Sequence, residues 1–251
     1  MTLPIALQLY TLRKQLSTDF QGVIEQVAAI GYPAVELAGF DGTTPEAAAA
    51  LFRSLDLQVC SAHAPLPVGD RQQRVIEVAA MMGCATLILA YLPPEQFASR
   101  DLVERACEQL NYADEIARAS GLTIGYHNHA WELESVIDGQ PALYLMRDLL
   151  NPTILFELDT YWIKTGGLDP VTVIRDFGTQ APLLHIKDGS ALPGQPHVAV
   201  GSGTLNWETI IPAAEAAKWL IVELDECATD MLTAVEESYA FLTQKGYAHG
   251  R

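Results

Sequence analysis

Residues able to bind metal ions or move protons recur along this chain, each at or just past the end of a short apolar run. They are Glu36, His63, the stretch Tyr126-His127-Asn128-His129 with Glu132 beyond it, Glu157 and Asp159, His185 with Lys187 and Asp188, and Glu223 with Asp225. Imidazoles and carboxylates of this kind bind Mn, Mg, Co or Zn ions. Carboxylates packed together repel one another, and a divalent cation removes that cost. The same groups serve as general acids and bases. Each has a plainer reading. A lone histidine at a strand end is more often a hydrogen-bonded structural residue than a ligand. A strand-end glutamate can cap the next helix. Glu236-Glu237 reads as solvated helix surface, and Trp131, Trp162, Trp207 and Trp219 read equally well as packing.

The elements between these residues change the odds. Short β-rich runs alternate with longer helical runs, and they do so eight times. The strands are expected at Ile5–Leu9, Ala34–Leu37, Leu57–Ala62, Thr86–Ala90, Thr123–His127, Ile154–Leu158, Leu183–Ile186 and Leu220–Glu223. Most are apolar without alternation, as suits a parallel strand covered on both faces. Helix punctuation lies between them: Thr18-Asp19 with a closing Gly31, Thr44-Pro45-Glu46, Gly83, Gly121, Asp169-Pro170, Asn206 and Thr229-Asp230. Eight such units predict an α/β fold, a single (β/α)8 TIM barrel over residues 1–251, with no break marking a second domain. No GxGxxG follows the first strand, so a dinucleotide fold is disfavoured. The irregular stretches Ala130–Gly139 and Asp188–Thr204 both follow strands, which places them at the mouth where barrel active sites are built. Asp159, His185 and Glu223 come from three consecutive strands and converge on that pocket.

Composition narrows the partners. The chain has 251 residues, 49% hydrophobic and 18% charged, the proportions of a globular enzyme. Its net charge of −16 works against nucleic acid, which demands basic surface, and against an anionic membrane. No apolar run approaches a membrane span, and Met1–Tyr10 reads as a strand, not a signal peptide. The four cysteines (Cys60, Cys84, Cys107 and Cys227) form no CxxC and suit free thiols in a reducing compartment, so the expected location is cytoplasmic.

Seven segments in order carry a resemblance over nearly the whole chain. They are Leu7-Gln8-Leu9-Tyr10-Thr11, Ser61-Ala62-His63, Gly125-Tyr126-His127-Asn128-His129, Leu158-Asp159-Thr160-Tyr161-Trp162, His185-Ile186-Lys187-Asp188, Val200-Gly201-Ser202-Gly203 and Ile221-Val222-Glu223-Leu224-Asp225-Glu226-Cys227. The chain resembles the sugar phosphate isomerase/epimerase family with the xylose isomerase-like TIM barrel. The resemblance implies one divalent metal ion (Mn, Co, Mg or Zn) held by Glu, Asp, His and Glu at the ends of strands 5 to 8. Asp159, His185 and Glu223 carry over as ligands. His127 stands where many relatives have the strand-5 glutamate. Glu132 is then the first replacement, with Glu134 and His127 itself as alternatives. The departure at His127 bears against a mechanism using one carboxylate on each face of the substrate.

The function implied is a sugar or keto-sugar isomerase or epimerase. Its metal holds a ketone oxygen and a neighbouring hydroxyl and stabilises an enediolate while a base removes the adjacent proton. Glu223 or Glu132 is the expected base, with His63 or His127 as alternatives, and Lys187 neutralises the developing oxyanion. Tyr10, Trp131 and Trp162 pack on the sugar, and Gln8, Glu36, His127 and His129 bind its hydroxyls. An unphosphorylated sugar is favoured, because no Arg/Lys cluster marks a phosphate site. Gly201-Ser202-Gly203 offers backbone amides, but a turn explains it as well. Tyr126-His127-Asn128-His129 also resembles inosose dehydratases, which keeps a lyase as the alternative. A non-catalytic sugar-binding barrel and an endonuclease IV-type hydrolase are disfavoured, the first by the Asp159/His185/Glu223 set and the second by the charge and the six histidines. Barrels of this family often form dimers or tetramers, so the resemblance also admits a homo-oligomer.

Overall fold

Eight apolar runs become eight parallel strands. They are β1 (Leu3–Gln8), β2 (Ala34–Leu37), β3 (Gln58–His63), β4 (Thr86–Leu89), β5 (Thr123–His127), β6 (Leu155–Asp159), β7 (Leu183–Ile186) and β8 (Trp219–Val222). The structure, a computed structural model, describes residues 2–251. Each strand pairs with its successor, and β8 returns to β1 through Ile5–Leu220, Ala6–Ile221 and Leu7–Val222. The sheet is therefore a closed (β/α)8 barrel. A last pairing joins Ala248–His249 to the start of β1.

The main helices are α1 (Phe20–Ile30), α2 (Pro45–Ser54), α3 (Gln72–Met82), α4 (Arg100–Ala119), α5 (Ala142–Leu149), α6 (Pro170–Phe177), α7 (Trp207–Ala213) and α8 (Met231–Gln244). Their ends follow local chemistry. The side chains of Asp19, Thr44, Asp169 and Asp230 accept from the backbone N–H of Gly22, Ala47, Thr172 and Thr233, satisfying donors the first turn leaves free. Asn206 stands at the start of α7, but its side chain makes no capping bond. Gly31 ends α1 at a φ of 116°, which a side chain would resist.

The barrel interior is layered because strand side chains alternate. Ala6, Ala34, Ile88, Leu183 and Ile221 form a small apolar cluster, with Cys60 and Trp219 against it. Two residues further along the same strands stand Gln8, Glu36, His185 and Glu223, all buried. The step of two keeps them on the inward face, one layer nearer the mouth. The outward residues, such as Leu7, Val35, Leu184 and Val222, join the large core between strands and helices.

The two mouth stretches are more regular than their sequences suggest. The stretch after β5 holds a helical turn at Trp131–Glu134 and a two-stranded ladder joining Val136–Ile137 to Gln140–Pro141. The stretch after β7 pairs Asp188–Gly189 with His197–Val198. Asp188 is the reason. Its carboxylate accepts from Gly189 N at 2.9 Å, Gly201 N at 2.9 Å, Leu205 N at 3.3 Å and Trp207 Nε1 at 2.8 Å. A side chain at Gly203 would collide with that carboxylate.

Candidate active site

Strand register places the site residues side by side. Gln8 is opposite Glu36, His127 opposite Glu157, and Asp159 opposite His185. Closure then brings the groups from β2, β3 and β5–β8 to one centre. His185 is its hub. Its Nε2 lies 2.7 Å from Glu36 Oε2 and 3.1 Å from Glu157 Oε2, and its Nδ1 lies 2.8 Å from Glu223 Oε2. His63 Nε2 lies 2.7 Å from Glu157 Oε2. His127 Nδ1 lies 3.3 Å from Glu157 Oε2, and its Nε2 lies 3.9 Å from Asp159 Oδ2.

Lys187 supplies the permanent cation. Its ammonium is buried 3.0 Å from Asp159 Oδ2, 2.6 Å from Glu223 Oε2 and 2.9 Å from Asp225 Oδ2. Asp159 is oriented by its own backbone neighbourhood. Oδ1 accepts from Tyr161 N and Trp162 N at the start of the helical segment Thr160–Thr165, and its N–H donates to Asn128 Oδ1. That leaves Oδ2 for the centre.

The protonation pattern follows from these neighbours. Burial pushes Glu36 up to about 7, and the Glu157 carboxylate adds to the rise. Burial presses His185 down, but Glu157, Glu223 and Glu36 outweigh it and hold the imidazole well above its usual range. His63 is raised in the same way, with Glu36 and Glu157 overcoming its burial. Burial and the neighbouring His185 keep His127 well below its usual value. Burial disfavours ionised Glu157, yet His185 and His63 hold it well below the usual carboxylate range; Lys187 and His185 do the same for Glu223.

The donor set fits a divalent cation. His127, Asp159, His185 and Glu223 each offer an atom within 4.8 Å of the others, and so do His63, His127, Glu157 and His185. Glu157 Oε1, on a member of the second group, is buried without a hydrogen-bond partner, a costly state that a bound cation relieves.

A cavity of about 810 Å³ opens above this centre. His63, His127, His129, Trp131, Trp162, Tyr10, Lys187 and Glu223 all line it. His129 stacks on Trp131 with ring centres 4.3 Å apart. Two expected contacts lie elsewhere. Gln8 and Glu36 sit beneath the cavity wall, where Gln8 Nε2 donates to Glu36 Oε2 at 2.7 Å and Gln8 Oε1 accepts from Tyr10 N. Glu132 stands outside both ligand groups. Its carboxylate accepts from the Tyr126 hydroxyl at 2.6 Å and from His129 N at 2.9 Å, so it shapes the β5 loop. Glu157 joins this cluster, although the sequence places it on a strand without marking it for the site. Its spacing of two from Asp159 is the signal that both face inward. Gly201 N is spent on Asp188, so the Gly201-Ser202-Gly203 segment works as a turn.

The comparisons agree with this architecture. The chain is similar to a sugar phosphate isomerase/epimerase from Parabacteroides distasonis ATCC 8503, at 24% identity and a TM-score of 0.83 over 99% of this chain and 96% of that one. It is similar to the probable 3-DHS dehydratase AsbF, involved in petrobactin synthesis in Bacillus anthracis, at 15% identity and a TM-score of 0.76 over 96% and 99%. It is also similar to the IOLI protein with a bound zinc atom, at 13% identity and a TM-score of 0.75 over 98% and 100%. These likenesses are of fold. The family model described as Xylose isomerase-like TIM barrel matches residues 24–245, and the chain belongs to that family.

Proposed function

We propose that the chain is a divalent-metal-dependent isomerase or epimerase of an unphosphorylated sugar or keto-sugar, working by proton abstraction beside a carbonyl. The observation that carries this is the buried centre of His127, Asp159, His185 and Glu223, with Lys187 at its edge, beneath an aromatic-walled cavity. Those four residues would hold the metal, with His127 in the strand-5 place. When bound, the metal supplies Lewis-acid polarisation of the substrate carbonyl.

The chain's own groups do the rest. Glu223, kept ionised by Lys187 and His185, accepts the proton from the carbon next to the carbonyl. Lys187 Nζ donates to the substrate oxygen that gains charge, in a site where burial strengthens the interaction. No strand-5 carboxylate faces the cavity, so His63, raised by Glu36 and Glu157, returns a proton from the other side. Trp131 and Trp162 cover the apolar face of the sugar, and His129 binds a hydroxyl. Glu132 acts as a positioning residue through Tyr126 and His129.

Dehydration is the second reading, and His63, raised by Glu36 and Glu157, favours it. Expelling a hydroxyl needs an acid, and an imidazolium serves better there than a second carboxylate. The test is incubation with a panel of ketoses and inososes in deuterium oxide, followed by mass spectrometry. Metal-dependent gain of one deuterium supports the isomerase, and loss of water supports the lyase. Asp159→Asn should lower both metal content and turnover by at least about a hundredfold. Unchanged metal binding and turnover in that variant would sink the proposal.

A further inference from the structure

A second cavity, of about 330 Å³, lies beside the catalytic one. It occupies the layer between the outer face of β2–β4 and helices α2 and α3. Leu37, Leu87, Val75, Val78, Ala79 and Met82 line it. It exists because α3 is thinly packed. Only Ala79 and Met82 of that helix are buried, and Val75 and Val78 remain half-buried although they face the strands. A void of this size is far larger than the gaps of a close-packed interior and lies within the range of small-ligand sites.

The two cavities share a wall. Gly39, His63, Ala64 and Pro65 line both. Space is open around Gly39, where a Cβ would meet nothing within 4 Å. The chemistry of the second cavity is unlike that of the first. Away from the shared wall its one full charge, Arg74, lies at the solvent rim with its guanidinium 3.9 Å from exposed Glu46. His63 is engaged by Glu157, and the Cys84 thiol donates to Thr86 O. A sugar hydroxyl placed among these walls would be buried without a partner, which is costly. An apolar group would leave water at no such cost.

We propose that this annex receives an apolar substituent carried on the substrate, an aryl or compact branched alkyl group attached to the sugar. The proposal rests on the reading of the neighbouring cavity as a sugar site and narrows its substrate class. The annex adjoins β2–β4, whereas His185, Lys187 and Glu223 come from β7, β8 and their ends. The substituent therefore lies across the sugar from Glu223 and Lys187, on the side of His63.

The test uses the full chain and three probes: methyl β-D-glucopyranoside, phenyl β-D-glucopyranoside and free phenol. Binding is read by calorimetry and by methyl-group NMR, on the wild type and on Val78→Trp, with Val75→Phe as a second filling variant. Each buried methylene equivalent is worth roughly fourfold in affinity. The phenyl glucoside should therefore bind at least about tenfold more tightly than the methyl glucoside. Phenol should shift the methyl resonances of Val75, Val78 and Leu87. Filling the annex should abolish both effects and leave methyl glucoside binding unchanged. Equal binding of the two glucosides, with phenol leaving those methyls unmoved, overturns the annex while the sugar reading stands. Phenol binding that Val78→Trp abolishes, with neither glucoside bound, shows an apolar site that takes no sugar-borne group and overturns the proposal. A phenyl preference that survives both filling variants places the group elsewhere and overturns the proposal.

Discussion

Lys187 carries a burden set by its three neighbours. Asp159, Glu223 and Asp225 all reach its ammonium within 3.0 Å, and the side chain is fully buried. Burial alone would press the amine towards neutrality, but Asp159 and the other two carboxylates outweigh it and hold the pKa well above the usual lysine value. Removing the cation leaves buried carboxylates facing one another. Lys187→Met should therefore destabilise the fold by about 3–5 kcal/mol in urea unfolding without metal. Excess Mn²⁺ should recover part of that loss, because it neutralises the same oxygens. A variant as stable as the wild type would show that the carboxylates already find another partner. The inward direction of Asp159 was readable from sequence because its strand position sets it. The lysine contact was not, since it joins the ends of three strands that only closure brings together.

The segment after β7 is held by one side chain. Asp188 accepts four hydrogen bonds from three backbone amides and the Trp207 indole. Each buried donor left unpaired costs about 1–3 kcal/mol, so Asp188→Ala should cost at least about 3 kcal/mol and open residues 190–204 to proteolysis. Retained protease resistance would contradict this. His197 adds acid sensitivity to the same segment. Its Nδ1 accepts from Asp225 N at 3.1 Å, and its ring meets Tyr161 edge-on. Burial, helped by the nearby Lys187 charge, lowers its pKa from 6.5 to about 4. The folded state therefore stays unprotonated at pH values where the unfolded chain takes up a proton. Stability is lost as pH falls from about 6.5 towards about 4, at up to about 1.4 kcal/mol per pH unit. His197→Gln should flatten that slope in melts between pH 7.5 and 5; an unchanged slope would assign the acid sensitivity to other groups.

Charge acts over the whole molecule. A net −16 on 251 residues disfavours the compact state through self-repulsion, and salt screens it. With chelator present, raising NaCl from about 10 to about 300 mM should increase the melting temperature, because the screening length drops below the spacing of surface charges. A flat response would mean that local ion pairs already balance the surface. Chelator matters here, since metal binding would stabilise the fold separately by mass action. Among the described residues no helix is long and apolar enough to cross a membrane.

The strand positions, the caps at Asp19, Thr44, Asp169 and Asp230, and the eightfold alternation were legible in the sequence to within a residue or two. They rest on contacts between residues close in the chain, which pattern and propensity encode directly. The inward direction of Asp159, His185 and Glu223 was legible for the same reason, because it needs only a period of two. The partners across the barrel were decided by tertiary structure. Glu157, not Glu132, joins the histidine centre, because Glu132 sits on a helical turn beyond the strand, where Tyr126 and His129 take its oxygens. The annex beneath α3 was likewise invisible in the sequence. A cavity is the space left between surfaces distant in the chain, and no local run of residues specifies its volume.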